Sequence, residues 1–408
     1  MEKPFTKALL LVLALSGAAA AAAELGFETS KPQPLALTGS VHLHNTGTAP
    51  TGEIEIVMYL PRNLAGQKVF NLDFLPAPDG IEEDRWLQKL ARWKVSLQPG
   101  GHFFAMWVAR AAAADVRFDL DRLRKAALPV PLPVRSLYVW ESGDIENRQP
   151  SIERALGLAA YVRRTVSQNH SGLPFPQAIP RHETPLVLAN AMTAICHAND
   201  LPCRTVAAYV AGTSEFSIDS AGTAWNEIYF PQSGWVPMLV ADAQEFGRRR
   251  AERIAVRTSG HETGGHPQFW GYVSGAGDDV RVVHRGYFSR ARNARSESET
   301  IVLFQSLAQQ VDSSQAATRL AGQTGSLAIG LLEPYLYRGD ARLAETAAAL
   351  IGSSRQKHAV VILVDAMGQT PEIDKSLAAQ AEALTGQAFG ARRDEWLAWI
   401  RKELLPAR

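Results

Sequence analysis

The chain changes its hydrophobic rhythm twice. Between Leu35 and Phe118 apolar and polar positions alternate: Ile54, Ile56, Met58 and Leu60 interleave with Glu53, Glu55, Val57 and Tyr59, and Trp93, Val95 and Leu97 repeat the pattern. A period of two predicts half-buried strands. Pro61 ends one run, and Pro99-Gly100-Gly101 turns another into the strand that begins at Phe103. The expected unit is an antiparallel β-sandwich over 35–127. A stiff, Pro-spaced linker follows, with Pro129, Pro131 and Pro133 at every second position.

The rhythm then becomes mixed. Pro150 opens a helix with Ile152, Ala155, Leu156, Ala159 and Val162 at helical spacing. A second helix, from about Pro185 to His197, carries Leu188, Ala191, Met192 and Ile195 as its buried stripe. Strands are predicted near Arg204–Val210, Trp225–Phe230 and Trp235–Val240, with Arg281–Phe288 as a last strand of the same sheet. Beyond Ser296 Ala and Leu dominate. Leu343, Ala347, Leu350 and Ile351 mark one helix face, Ala359, Val360, Leu363 and Met367 another, and Leu377, Ala378, Ala381 and Leu384 a third. The predicted fold class is α+β, with a core over 134–295 and an all-α tail over 296–408.

The N-terminus has the grammar of a secretory signal over 1–23. Lys3 and Lys7 precede an apolar run from Ala8 to Leu15, and small residues lead to a cleavage position near Ala23. The expected localisation is secreted or periplasmic, with no membrane span in the mature chain. Net charge is +1, which argues against nucleic acid as a partner. Arg248, Arg249 and Arg250 read as a solvated helix face. Two cysteines, Cys196 and Cys203, favour one disulfide in an oxidising compartment; two separately buried thiols are the other reading.

The segment Leu186–Val240 holds the candidate chemistry. Its Leu201-Pro202-Cys203-Arg204 turn and its Ala224-Trp225-Asn226-Glu227 and Gly234-Trp235-Val236-Pro237 strands resemble the catalytic core of the transglutaminase-like superfamily of papain-type cysteine enzymes. The run from His44-Asn45-Thr46 to Leu97-Gln98-Pro99-Gly100 resembles the β domain that precedes this core in bacterial relatives. The ending, Leu384-Thr385-Gly386-Gln387 through Trp399, resembles a last HEAT-like helical repeat.

The resemblance implies a Cys at the start of the core helix, a His just before Ala224, and an Asp after the Gly-Trp-Val-Pro segment. The thiolate attacks, the imidazole moves the proton and the carboxylate orients the imidazole. In this chain those positions hold Pro185 (Thr184 if the register slips by one), Thr223 and Leu239. Pro and Leu offer no reactive heteroatom, and a Thr hydroxyl is a very poor base near neutral pH. The expectation is a pseudoenzyme whose fold persists as a peptide- or protein-binding module, with Trp225, Asn226 and Trp235 as candidate binding residues. A polypeptide or cell-wall peptide is the expected ligand, and the helical tail offers a surface for a protein partner.

The alternative is a hydrolase or transferase acting on peptide amide bonds with relocated residues. His182 and Glu183 precede the core helix; His261, Glu262, His266 and His284 offer imidazoles and a carboxylate to a metal. Their spacing fits neither a helix face nor a knuckle, so solvated loop histidines are the expectation. Asp242 lies three residues past the orienting position. No cofactor motif stands out.

Overall fold

A computed structural model describes residues 26–84, 88–125, 151–168, 184–199, 201–210, 216–219, 223–231, 233–259, 270–289, 301–306, 328–337 and 339–404. The signal-like start, the Pro-spaced linker and the positions of His182, Glu183, His261, Glu262 and His266 lie outside them. The first half is strand: β1 (Phe27–Thr29), β2 (Gln33–Asn45), β3 (Ile54–Tyr59), β4 (Gln67–Leu75), β5 (Gly80–Glu83), β6 (Lys89–Val95), β7 (His102–Ala113) and β8 (Val116–Phe118), closed by helix α1 (Leu120–Lys125). Next come α2 (Ile152–Gln168), α3 (Thr184–Ala198), β9 (Cys203–Val210), β10 (Phe216–Asp219), β11 (Thr223–Phe230), β12 (Gly234–Met238), β13 (Arg248–Arg249), β14 (Arg253–Ser259), β15 (Gly271–Ser274) and β16 (Val280–Ser289). The tail holds α4 (301–306), α5 (Ala328–Leu332), α6 (Ala341–Ser353), α7 (Val360–Ala366), α8 (Asp374–Thr385) and α9 (Arg393–Glu403). Among the described residues no helix is long and apolar enough to cross a membrane.

Two sheets form the sandwich, in the orders β10-β16-β2-β7-β4 and β15-β3-β6-β5. Leu37, Val41, Leu43, Ile54, Ile56, Met58, Trp93 and Trp107 fill the space between them. This corrects one expectation. Arg281–Phe288 is not the last strand of the core sheet. It lies within β16, which pairs antiparallel with β2 from Val280↔Asn45 to Ser289↔Ala36. β15 likewise pairs with β3. The chain therefore leaves the sandwich, builds the core, and returns to complete both sandwich sheets. The return also buries both faces of β3, which the alternation had marked as half-exposed: Val57 and Tyr59 pack with Leu90 and Tyr272. Close approach at β15 requires glycine. Gly271 has φ +147°, and a Cβ there would sit 1.8 Å from the Val57 carbonyl oxygen.

The core sheet runs β12-β11-β9-β14, all antiparallel. Helices α2 and α3 cover one face, where Ile152, Ala155, Ala159, Val162, Met192 and Cys196 pack on Ile228, Val236 and Met238. Two buried amides join the sandwich to this sheet. Gln67 Nε2 donates to the Ala255 carbonyl and its Oε1 accepts from Ala255 N, both at 2.9 Å. They satisfy the backbone of β14 where a bulge interrupts its ladder between Ala255 and Arg257. Gln88 Oε1 accepts from Thr258 N at 3.0 Å.

The tail is helical, as its apolar faces foretell. Asp340 caps α6 by accepting from Leu343 N at 3.1 Å, and Gly386 ends α8 in the left-handed region. Leu350, Ile351, Leu363, Leu377 and Trp396 share one core with Tyr287 of β16. Arg285, on the same strand, donates to Glu333 and Asp365, and the Tyr287 hydroxyl donates to Glu333.

Candidate functional site

Helix α3 starts with Pro185 one residue into its first turn, where a missing N–H costs nothing. Its buried surface is wider than the predicted stripe. Leu186, Ala189 and Thr193 face the sheet as well, while Leu188, Ala191 and Ile195 turn toward α2. The helix closes on the expected turn: Leu201 N donates to the Cys196 carbonyl at 2.8 Å, and Arg154 of α2 reaches the Asn199 carbonyl at 2.6 Å.

Strand alternation sorts β9 and β11 into two chemistries. On the α3 side Asn226 Nδ2 donates to the Ala189 carbonyl and to Thr193 Oγ1, each at 2.8 Å, and Thr193 and Thr205 share a hydrogen bond of 2.9 Å. Cys203 Sγ lies 3.6 Å from Asn226 Nδ2 and 3.7 Å from Thr193 Oγ1. The network is polar, buried and structural. It holds the helix on the sheet.

The other face carries Arg204, Val206, Ala208, Trp225 and Glu227. Arg204 Nε and Nη2 both donate to Glu227 Oε2, at 2.8 and 2.5 Å, and Trp225 Nε1 points at Glu227 Oε1 from 3.4 Å. The Arg204 guanidinium lies 4.1 Å above the Trp235 ring.

Pro185, Thr223 and Leu239, the positions that the sequence resemblance singles out, lie at the start of α3, at the start of β11 and just past β12. Pro185 is half-buried, and its neighbour Leu186 packs on Ala207 and Ala224. Thr223 opens β11 opposite Ala208, on the same strand face as Trp225. Leu239 packs against Val206, Ala208, Trp225 and Ala255. Pro185 and Leu239 have no side-chain heteroatom, and Thr223 offers a hydroxyl. Asp242 is exposed and caps its own turn, accepting from Gln244 N at 2.9 Å. Of the candidate binding residues, Trp225 and Asn226 are buried; Trp235 alone is partly exposed.

Three sequence expectations are corrected. Cys196 and Cys203 form no disulfide: both are free and buried. Their thiols meet in a hydrogen bond which, with burial, pushes the Cys196 thiol well above its ordinary value. The helix end and strand start bring the sulfurs together but do not give the bridging geometry. His284 is no solvated loop residue. It sits in β16, stacked on Trp270 at 4.4 Å between centroids and bonded through Nε2 to the Tyr209 hydroxyl at 2.6 Å. Burial, and then Arg285, hold its imidazole well below the ordinary value. Among the described residues no group of three or more His, Cys, Asp or Glu is arranged to hold a metal.

The third correction is the arginine run. Arg248 and Arg249 form a short strand paired with β8, and Arg249 is only 3% exposed. Among the described residues its Nε and Nη2 have no hydrogen-bond partner. Burial lowers its pKa to about 10, against the raising fields of Glu227 and Asp115. Three successive arginines give no hint of this. Only Gly247 just before them could have suggested a turn into a strand.

Comparison with known proteins places this region in a family. A family model for the transglutaminase-like superfamily matches residues 142–239. Among solved structures the chain is similar to a "putative cysteine protease" from Cytophaga hutchinsonii, at 12% identity and a TM-score of 0.35, covering 64% of this chain and 92% of that one. No curated protein matches significantly. The chain carries a domain of the transglutaminase-like superfamily.

Proposed function

We propose that this protein is a non-catalytic transglutaminase-like module, exported after cleavage near Ala23, that binds a polypeptide or a cell-wall peptide. One observation carries the reading: Pro185, Thr223 and Leu239 stand where the family places its nucleophile, base and orienting carboxylate. The two thiols do not replace them. Both are buried, Cys196 lies near the C-terminal end of α3, where the helix dipole opposes a thiolate, and its thiol is held protonated. The tail, HEAT-like in sequence, supplies a second surface for a protein partner.

The test is an assay of amide hydrolysis and of Gln–Lys crosslinking with purified protein, alongside the Cys196→Ser/Cys203→Ser double variant. The expected result is no turnover above the uncatalysed rate for either. Turnover that disappears in the double variant ends the non-catalytic reading.

A further inference from the structure

Arginine cannot shed its proton at physiological pH, so a buried guanidinium needs a counter-charge or a full set of acceptors. Three guanidinium groups draw on Glu227, although Arg62 also lies in the field of Asp84 and Glu83 and Arg249 in that of Asp115. Glu227 is 4% exposed and lies in the field of Arg62, Arg204 and Arg249. Its Oε2 is taken by Arg204 and its Oε1 faces Trp225. Asp115, the other acid whose field reaches Arg249, accepts from Ala251 N at 2.8 Å. Arg249 is left with two unsatisfied donors, and they are the Nε and Nη2 of one edge.

That edge has a definite chemistry. Nε–H and Nη2–H point the same way and match the two oxygens of a carboxylate or of a phosphate, side-on. The backbone covering it is glycine: Gly66 has φ +68°, and a Cβ there would come within 2.9 Å of Arg249 Nη2 and 2.4 Å of Val116 Cγ2. Arg62, Leu64 and Gly66 beside it are partly exposed, whereas the two donor atoms themselves are buried.

We propose that the Nε–Nη2 edge of Arg249, beneath Gly66 and beside the Arg204–Glu227 pair, is an oxyanion-binding subsite that takes a ligand carboxylate or phosphate. It shares the interior around Glu227 with the sheet face that carries Thr223 and Leu239. The subsite stands whether or not the module binds peptide; the peptide reading decides only which oxyanion is native.

The experiment is thermal unfolding of the full chain at fixed ionic strength, with chloride as reference. The probes are inorganic phosphate, acetate, and an N-acetyl dipeptide with either a free carboxylate or a C-terminal amide. An oxyanion at roughly ten times its Kd is expected to raise Tm by about 2 °C. The Arg249→Met variant is expected to show no rise. A rise with the acid dipeptide and not with its amide identifies a peptide carboxylate as the ligand; a rise with phosphate alone identifies phosphate, supporting the subsite and removing its peptide link. Equal Tm values in every anion mean that ordered water fills the edge and overturn the proposal, as does a rise that persists in Arg249→Met. Should that variant fail to fold, ¹⁵N spectra of the arginine Nε groups in the unaltered protein decide the matter. One buried Nε–H is expected to shift with phosphate or acetate and not with chloride, and no such shift is a refutation.

Discussion

Two of the arginines buried among the described residues, Arg285 and Arg249, are furnished in opposite ways. Arg285, on β16, faces Glu333 and Asp365, with Tyr287 closing the group, and its pKa is driven above the ordinary guanidinium value despite burial. Arg249, on β13, has two empty donors, and burial brings its pKa down to about 10. The first is a clamp between the sandwich and the helical tail, complete as it stands. The second is an incomplete ion pair. Burial alone does not separate a structural charge from one that awaits a ligand; the inventory of acceptors does.

The largest expected effect tests the complete clamp. Glu333 is fully buried, so Glu333→Gln strips Arg285 of a carboxylate with no water to replace it. A loss of about 3–5 kcal/mol is expected in urea unfolding. A loss below about 1 kcal/mol would show that Asp365 alone compensates Arg285 and would erase the contrast with Arg249. Glu227→Gln comes next, at about 3 kcal/mol, because it removes the carboxylate that Arg204 grips through both Nε and Nη2. Adding phosphate is expected to restore part of that loss, and no restoration would count against the oxyanion subsite.

Acid probes the same clamp from its other side. His42 stacks on Phe104 at 4.0 Å, bonds His102 at 2.9 Å and packs on Tyr337 of the tail. Burial, then His44, bring His102 down to about 4; burial, then His102 and Arg285, bring His42 to about 2. Both folded values lie below the unfolded value of 6.5. As pH falls, the unfolded chain therefore takes up protons first, and stability present above pH 6.5 is lost toward pH 4. His102 is partly exposed, so its share is discounted to on the order of 2 kcal/mol. Tm measured from about pH 7.5 to about pH 4.5 should fall less in His102→Gln than in the unaltered protein. The smallest effect is the baseline: Glu55→Gln breaks the partly exposed Arg92–Glu55 pair and should cost under about 0.5 kcal/mol.

Local features are legible in the sequence and distant partners are not. The core helix and the turn at Leu201-Pro202-Cys203-Arg204 follow from spacing and motif. So do the tail helices around Leu350, Leu363 and Leu377. The pairing of β16 with β2 joins residues roughly two hundred or more positions apart, and hydrophobic alternation does not specify a partner strand. Arg249 is illegible for a related reason. Its two-residue strand is too short for any period, and its burial comes from the Gly66 loop and β8, which are remote in sequence. The cysteines show the limit of counting, since parity predicts a bond and only geometry permits one.

The returning strands decide what can be cut from this protein. A fragment ending before Pro150 would lack β15 and β16 and leave β2 and β3 as raw borders. Each would present unpaired backbone groups along its length, inviting a neighbouring molecule to add a strand. Cut out alone, the N-terminal β unit is expected to aggregate. Any dissection must keep the ribbon from Gly271 to Ser289 attached to the strands it completes.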